Sequence, residues 1–289
     1  MKVAIFPGCV AATEQYACEL ATREVLRELG VEVVEVPGFS CCGWPLQNVG
    51  TVSWVYLAAR NLALAAEKGV PLVTLCNVCN RLFYEAKSLM AGSPELREKI
   101  SALLREEGRG PLDGAEILHP LELFHDRIGV EEIRRRVRKP LKGLKLAAHT
   151  GCQAIRPRKL RTIDDSEHPQ KLVRLVEALG AQSPHYPEAL DCCGAYLFYT
   201  RKDASLTLAG EKVEAVQNWG YDGLVTVCSS GHRMLDGKQD AAATTIGKAL
   251  NLPVVYYSQL LGLALGLSPE RLGLQLNRSP VKNLMGKIG

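Results

Sequence analysis

The sequence predicts an α/β protein built from two duplicated halves, each with a doubly wound and mostly parallel sheet. Short apolar runs alternate with segments of helical period along the chain. Such alternation joins parallel strands through right-handed crossovers. The same cysteine pattern also occurs twice in the same order, once in each half.

The first half supplies the clearest alternation. Strands are predicted over residues 2–6, 31–36, 71–75 and 116–118, and helices over 12–29 and 52–67. Both helical segments carry apolar residues at the spacing of one helix face. They stop before Gly30 and Gly69, and glycine is the usual residue just beyond a helix C-terminus.

The second half repeats this order. Strands are predicted over residues 145–148 and 223–227, and helices over 169–179 and 206–218. The ends of the halves also correspond, because residues 117–123 resemble residues 254–260. We place the boundary in the charged segment 134–145, a predicted solvated linker, and therefore expect domains of residues 1–139 and 140–289.

Three sequence motifs anchor the duplication. They are FPGC at 6–9 and HTGC at 149–152, SCCG at 40–43 and DCCG at 191–194, and LVTLC at 72–76 and LVTVC at 224–228. The spacing is also alike, since 33 residues separate the cysteine pair from the next cysteine in the first half and 34 in the second. Three matched anchors in one order indicate an internal duplication.

Composition excludes several classes of protein. The 289 residues carry 35 Lys and Arg against 31 Asp and Glu, and only 6% are aromatic, so no nucleic-acid surface is expected. No run of about eighteen apolar residues is present, and the chain enters a strand without a signal peptide. We therefore expect a cytoplasmic protein without a membrane span, whose ten cysteines stay reduced. So many thiols in a reducing compartment indicate metal binding, although Cys18 lies outside both motifs and is expected to be a buried core residue.

The first half holds five cysteines, arranged as a single residue, one adjacent pair and one C-x-x-C. They are Cys9, Cys41, Cys42, Cys76 and Cys79. Structural zinc usually takes its ligands from two C-x-x-C pairs, and a thioredoxin-like site needs only one. Sulfur ligands in this number suit a cluster of several irons better, and the carboxyl ends of parallel strands bring them to one edge. Gly43 and Gly194 are expected to let the backbone approach such a core closely.

The twice-repeated pattern resembles the cysteine-rich CCG domain, and the whole chain resembles the B-type subunit of heterodisulfide reductase. Arg156-Pro157 and the DDSEHP sequence at 164–169 also resemble the second half of that subunit. The resemblance implies two Rossmann-like halves, each binding a non-cubane [4Fe-4S] cluster through five cysteines. It also implies that a disulfide is cleaved between the clusters with electrons from an iron–sulfur partner subunit.

The first motif matches the family completely, and the second does not. The second set is Cys152, Cys192, Cys193 and Cys228, with Gly231 where the fifth cysteine belongs. Four thiolates suit a [4Fe-4S] cubane, a [2Fe-2S] cluster or an altered non-cubane core, and an empty site is the remaining alternative. His232 is either an imidazole ligand or a hydrogen-bonding residue at a helix start. His149 either tunes the cluster through a hydrogen bond to sulfur or is an ordinary buried histidine.

Together these features predict the iron–sulfur subunit of a cytoplasmic heterodisulfide-reductase-like complex. The expected activity is thiol and disulfide redox chemistry at a cluster-centred cleft between the two sites. The resemblance implies a ferredoxin-like partner subunit of the C type and a flavin-containing partner subunit of the A type. Electrons are expected to enter from the former, because this chain has no ferredoxin motif of its own. The alternative is a non-catalytic electron relay or scaffold in a sulfur-oxidising or quinone-linked complex. A zinc protein is the third interpretation.

Overall fold

Two parallel sheets form the centre of the protein. The computed structural model describes residues 1–110, 115–161 and 163–288. The strands are β1 (Lys2–Phe6), β2 (Glu32–Val33), β3 (Leu72–Thr74), β4 (Ile117–Leu118), β5 (Leu146–His149), β6 (Gly223–Thr226) and β7 (Val254–Tyr256). The first sheet has the order β2-β1-β3-β4, and the second has the order β5-β6-β7. Every strand pair in these ranges is parallel, which confirms the predicted fold class.

Helices cover both sheets. They are α1 (Gly8–Thr13), α2 (Tyr16–Glu28), α3 (Thr51–Ala66), α4 (Asn77–Gly92), α5 (Pro94–Glu106), α6 (Val130–Arg136), α7 (Cys152–Ile155), α8 (Lys171–Ala178), α9 (Lys202–Asn218), α10 (Ser229–Leu235), α11 (Gln239–Ile246), α12 (Tyr257–Ala264) and α13 (Val281–Met285). Short 3-10 turns lie at Trp44–Leu46, Pro187–Leu190, Ala195–Leu197 and Leu274–Leu276, and a π-helix at Glu122–Gly129 precedes α6. Among the residues that the structure describes, no helix is both long and apolar enough to cross a bilayer.

The two sheets are built alike. Ala4 pairs with Leu72 in the first sheet, as Ala147 pairs with Leu224 in the second. An isolated parallel bridge between residues 145 and 182 adds a chain segment beside β5, where β2 lies beside β1. The repeated sequence motifs therefore fold into a repeated strand order.

Two predicted elements differ in extent from the helices and strands observed in the structure. The helix expected over 12–29 is broken into α1 and α2, so that one cysteine lies in the first turn of α1 instead of at a strand end. The strand expected over 31–36 is only Glu32–Val33, because the chain turns away at Pro37 and Gly38, where Gly38 has a φ of +89°. Burial still alternates along the chain after the hydrogen bonds of the strand end. Because sequence periodicity follows burial, it predicted a longer strand than the one observed.

The halves exchange their last helices. Helix α12 of the second half packs on α2 of the first half, and α6 of the first half packs on α8 of the second. A single apolar core therefore contains Val25 and Leu26 beside Leu260, and Ile133 beside Leu175. Each half is covered in part by the other.

The charged segment between the halves is anchored at its C-terminal end. Arg134 and Arg135 pair with exposed acidic residues of α6, which agrees with the predicted solvated surface. Further on, the backbone N–H of Arg138 donates to the carbonyl oxygen of Ala264 over 2.8 Å, and Leu141 is buried. The segment is therefore fixed to α12.

Corresponding hydrogen bonds cap the N-termini of the exchanged helices in the two halves. The backbone N–H of His119 donates to Oε2 of Glu122 over 2.9 Å. At the corresponding place in the second half, the N–H of Tyr256 donates to Oε1 of Gln259 over 3.0 Å. Side-chain capping of this kind stabilises a helix N-terminus, and it explains why the two sequences resemble each other there.

Candidate metal centre

Five thiols of the first half form one contiguous group. Cys9 lies on α1, the adjacent pair lies in the loop before α3, and the C-x-x-C begins α4. Hydrogen-bonded contacts join the sulfur atoms in the order Cys9–Cys41–Cys42–Cys79–Cys76. The carboxyl ends of β1 and β3 thus bring together all five predicted ligands of the first site.

The second half forms a similar group with one thiol fewer. Contacts join Cys152 to Cys192 and Cys192 to Cys193, and Cys228 precedes α10. A Cβ added to Gly231 would lie 3.6 Å from Sγ of Cys193 and 3.8 Å from Cβ of Cys228. Gly231 therefore stands beside the second site, at the place that the fifth cysteine occupies in the first.

The two thiol groups meet at the boundary of the halves. Cys76 and Cys228 are in hydrogen-bonding contact, and the backbone N–H of Asn77 donates to Sγ of Cys228 over 3.3 Å. Sγ of Cys76 lies 3.2 Å from Oγ of Ser230. The N-termini of α4 and α10 therefore face each other, and a path for electrons between the sites would run through these residues.

Glycine after each cysteine pair is required by a helix backbone. Gly43 has a φ of +94°, and a Cβ on it would lie 2.6 Å from the carbonyl oxygen of Trp54 on α3. Gly194 has a φ of +75°, and its Cβ would overlap the carbonyl oxygen of Ser205 on α9. The expectation that these glycines make room for an inorganic core is therefore corrected, because the close approach is to α3 and α9.

Comparison with known proteins decides the family. The cysteine-rich domain called CCG matches residues 3–84 and 146–236, one match in each half. The chain belongs to the CCG family. The two matches confirm the duplication that the three sequence motifs predicted.

Relatives of this CCG protein share its full length. It is 34% identical to the B-type subunit of the ferredoxin/F420H2-dependent CoB-CoM heterodisulfide reductase of Methanosarcina acetivorans, over 99% of this chain and 97% of the relative. It is 30% identical to the 8-methylmenaquinol:fumarate reductase membrane anchor subunit of Wolinella succinogenes, over 96% of each. The predicted resemblance to the B-type subunit of heterodisulfide reductase is confirmed.

A solved structure shares the fold. A hypothetical protein from Helicobacter pylori superposes with a TM-score of 0.76 at 17% identity, over 96% of this chain and 51% of that one. The CCG protein thus spans about half the length of that chain. The likeness supports the two-sheet architecture and nothing about its chemistry.

One thiolate is favoured at the centre of each CCG group. Hydrogen bonds from the thiols of Cys42 and Cys9 lower the pKa of Cys41 to about 2. Hydrogen bonds from Cys152 and Cys193 likewise lower the pKa of Cys192 to about 2. Thiolate is the form that binds metal, so each group is prepared to ligate.

Buried side chains of different charge hold the two cysteine-pair loops. Asn61 on α3 donates to the carbonyl oxygen of Cys41 over 3.1 Å. Lys212, at the corresponding position of α9, donates to the carbonyl oxygen of Ala189 over 3.0 Å and is 1% exposed. Burial lowers the pKa of Lys212 to about 8. A neutral amide therefore holds the loop of the first site, whereas a buried cation holds that of the second and favours negative charge on its ligands.

His232 has a structural role in α10. Its Nδ1 lies 2.9 Å from Oγ1 of Thr226, and its ring stacks on Tyr256 with centroids 3.7 Å apart. In the first half, Nδ2 of Asn80 makes the same contact with Oγ1 of Thr74 over 3.0 Å. His232 therefore takes the place of Asn80, which supports the hydrogen-bonding interpretation over ligation.

His149 is the buried histidine that faces the second site. It is 2% exposed, and neither ring nitrogen has a hydrogen-bond partner among the described residues. Burial, followed by the charge of Lys212, lowers its pKa to about 3, so the ring is neutral. It lines a cavity of about 30 Å³ together with the four thiols of the second site. Sequence reasoning named this residue without assigning it, because its lack of partners is visible only in the fold.

A cavity opens at the first site. Its volume is about 470 Å³, and its walls include all five thiols of the first half together with Trp44, Tyr196, Tyr199 and Arg233. Nη1 of Arg233 donates to the hydroxyl of Tyr199 over 2.7 Å, and the residue is 2% exposed. The predicted cleft between the two sites is therefore one-sided, since the second half contributes its wall and the first half its thiols.

The donor set fits a multinuclear group. The first half offers five sulfur atoms in continuous contact, most of them buried, beside a cavity with a cationic wall. Within the described ranges, no group of three or more His, Cys, Asp or Glu side chains has the arrangement found around a bound metal ion. Sulfur is the ligand of iron–sulfur clusters, and several irons share such a set of thiolates among them.

Proposed function

We propose that this chain is the iron–sulfur subunit of a heterodisulfide-reductase-like complex and carries out thiol and disulfide redox chemistry. The observation that carries the proposal is the group of five first-half thiols on the wall of a 470 Å³ cavity. Relatives of nearly the same length are subunits of heterodisulfide reductases, which supports a redox role within a complex.

The two sites would hold different clusters. A non-cubane [4Fe-4S] cluster belongs on Cys9, Cys41, Cys42, Cys76 and Cys79. A second iron–sulfur cluster belongs on Cys152, Cys192, Cys193 and Cys228, without a fifth thiolate. Bound there, the clusters supply one-electron transfer and a metal with affinity for sulfur. The contact between Cys76 and Cys228 gives a direct route between them.

The cavity residues position the substrate. Reduction of a disulfide breaks one S–S bond, takes up two electrons and two protons, and releases two thiols. The electrons come from a ferredoxin-like partner subunit, and a flavin-containing subunit is the further partner proposed. Trp44 and Tyr196 pack edge to face at 5.2 Å and form an aromatic part of the cavity wall beside the thiols. Arg233 offers a buried positive charge to an anionic group of the substrate.

Metal and sulfide analysis tests the proposal. Protein purified without oxygen is expected to contain about eight irons and a similar amount of sulfide per chain. Its electron paramagnetic resonance spectrum is expected to change when a thiol substrate is added. Zinc in place of iron would contradict the proposal, and a spectrum that no thiol alters would favour an electron relay.

Substitution of Arg233 tests the class of substrate. Arg233→Gln is expected to weaken the binding of anionic thiols about tenfold while leaving neutral thiols unaffected, because one charge-assisted contact is lost. Arg81 is the matched control, since it follows Cys76 as Arg233 follows Cys228 but lines a different cavity. Titration of both variants with a carboxylate thiol and with its amide gives the comparison. Equal losses for the two thiols would show that Arg233 only supports the cavity wall.

The second candidate is an electron relay. The second site has a cavity of only about 30 Å³, and the thiols of the two halves are in direct contact. An arrangement of this kind carries electrons without admitting a substrate to the second site. The relay predicts a change in electron flow, but not in disulfide binding, when a ligand of the first site is replaced.

A further inference from the structure

Two positions differ between the halves in a reciprocal way. The first half has Phe6 at the end of β1 and Cys79 in the first turn of α4. The second half has His149 at the end of β5 and Gly231 in the first turn of α10. A phenyl ring beside a thiol is thus replaced by an imidazole ring beside a glycine. The second half loses one metal-binding side chain and gains another next to it.

The imidazole nitrogen lies near the place of the missing sulfur. A Cβ added to Gly8 would lie 3.2 Å from Sγ of Cys79. A Cβ added to Gly151, which corresponds to Gly8, would lie 3.8 Å from Nε2 of His149. A Cβ added to Gly231 itself would also lie 3.8 Å from the same nitrogen. Cε1 of Phe6 lies 3.6 Å from the Cβ added to Gly8, so the rings of Phe6 and His149 occupy corresponding places. The distance from Gly231 is the one that places Nε2 of His149 beside the position of the fifth ligand.

The imidazole makes no polar contact that would explain it. Phe6 packs edge to face on Phe39 and Phe83, with centroids 5.3 and 4.9 Å away. His149 is as buried, yet both of its nitrogens lack a partner in the part of the chain that the structure describes. A buried polar group without a partner is costly and rare in folded proteins. A phenyl ring would fill the same place at lower cost, so the imidazole needs a partner that the described residues do not supply.

Backbone geometry does not require the glycine at 231. Gly231 does not have a positive φ, and an added Cβ would meet its neighbours at ordinary contact distances. This distinguishes it from Gly194, where any side chain overlaps the backbone of α9. Glycine at 231 leaves open the space between His149 and the thiols of Cys193 and Cys228.

We propose that His149 is the fifth protein ligand of the second cluster and binds it through Nε2. The inference rests on the proposed function, because it requires an iron–sulfur cluster at the second site. A neutral imidazole in place of a thiolate removes one negative charge, and histidine ligation raises the potential of iron–sulfur centres. The buried cation of Lys212 also raises the potential of the second cluster. The second cluster therefore has the higher potential and receives electrons from the first.

Nitrogen coupling in the intact holoprotein tests the ligand directly. Protein prepared without oxygen, with and without ¹⁵N-histidine, is examined by pulsed electron paramagnetic resonance and by Mössbauer spectroscopy after ⁵⁷Fe enrichment. The expected result is a strong nitrogen coupling that changes with the isotope, and one iron with a distinct Mössbauer signal. His149→Phe, which installs the first-half residue, is expected to lose both signals. His232→Asn, which installs the first-half counterpart of the other buried histidine in the second half, is expected to keep both.

A double variant restores the first-half arrangement. His149→Phe combined with Gly231→Cys is expected to recover the iron content and to show two similar clusters without nitrogen coupling. An intact second cluster without nitrogen coupling in the wild-type protein would overturn the assignment of His149 and leave the proposed function standing. Retention of the coupling in His149→Phe would also overturn it. Absence of iron–sulfur clusters from both sites would overturn the proposed function itself. The wild-type measurement does not depend on whether a variant folds.

Discussion

Cys79→Ser is expected to abolish disulfide turnover. Cys79 is 3% exposed and contacts both Cys42 and Cys76, so it joins the cysteine pair to Cys76 within the first thiol group. A serine hydroxyl is a poor ligand for iron, and loss of this ligand is expected to lower turnover with a chemical reductant at least about 100-fold. Iron is expected to fall to roughly half of the wild-type content, because only the second cluster remains.

Cys18→Ser is the matched control for this prediction. Cys18 is also a buried cysteine, but it lies on α2 and outside both thiol groups. It is expected to keep the iron content and the turnover of the wild type. Full iron and full turnover in Cys79→Ser would contradict the ligand assignment. A variant that still binds disulfide but passes electrons slowly would favour the relay.

Gly194→Ala is expected to destabilise the protein strongly. The residue has a φ of +75°, and a methyl group on it would overlap the carbonyl oxygen of Ser205. Backbone strain and overpacking together are expected to lower the free energy of unfolding by about 3 kcal/mol. Denaturant unfolding in the absence of oxygen measures this value, and the second cluster is expected to be lost first, because Gly194 follows its cysteine pair.

Gly69→Ala separates the effect of backbone strain from the effect of overpacking. Gly69 has a φ of +62°, but a Cβ on it would meet nothing within 4 Å in the described part of the chain. Its replacement is expected to cost only about 1 kcal/mol, the value for a left-handed conformation alone. Equal losses for Gly69→Ala and Gly194→Ala would show that contact with α9 is unimportant. A larger loss at Gly194 would confirm that the CCG glycine is set by the packing of its loop on that helix.

Local sequence was sufficient to predict the two parallel sheets and the grouping of the thiols at their edges. Strand–helix alternation predicts parallel strands, and the carboxyl ends of such strands share one edge. Cys9 and Cys76 lie within three residues of the ends of β1 and β3, so this rule is enough to bring them to one edge. The loss of the fifth cysteine at Gly231 was also visible in the repeat.

Contacts between distant parts of the chain were not predictable in this way. The role of His149 depends on which atoms surround its ring, and the sequence does not report that hydrogen-bond partners are missing. The need for glycine at position 43 depends on how closely the backbone of α3 approaches it. The cavity at the first site depends on Tyr196 and Arg233, which come from the other half. Each of these features arises from packing between elements far apart in sequence.

The exchanged helices bear on how such a chain can arise. With α12 on α2 and α6 on α8, one half by itself has an apolar face that nothing of its own covers. Two identical halves related by a two-fold axis would cover each other in this way, so the contacts of the duplicated chain follow the pattern expected of a symmetric dimer. In a dimer of identical chains, every substitution changes both sites at once. Fusion removes that constraint, and one site can then exchange a thiolate for an imidazole while the other keeps its full set.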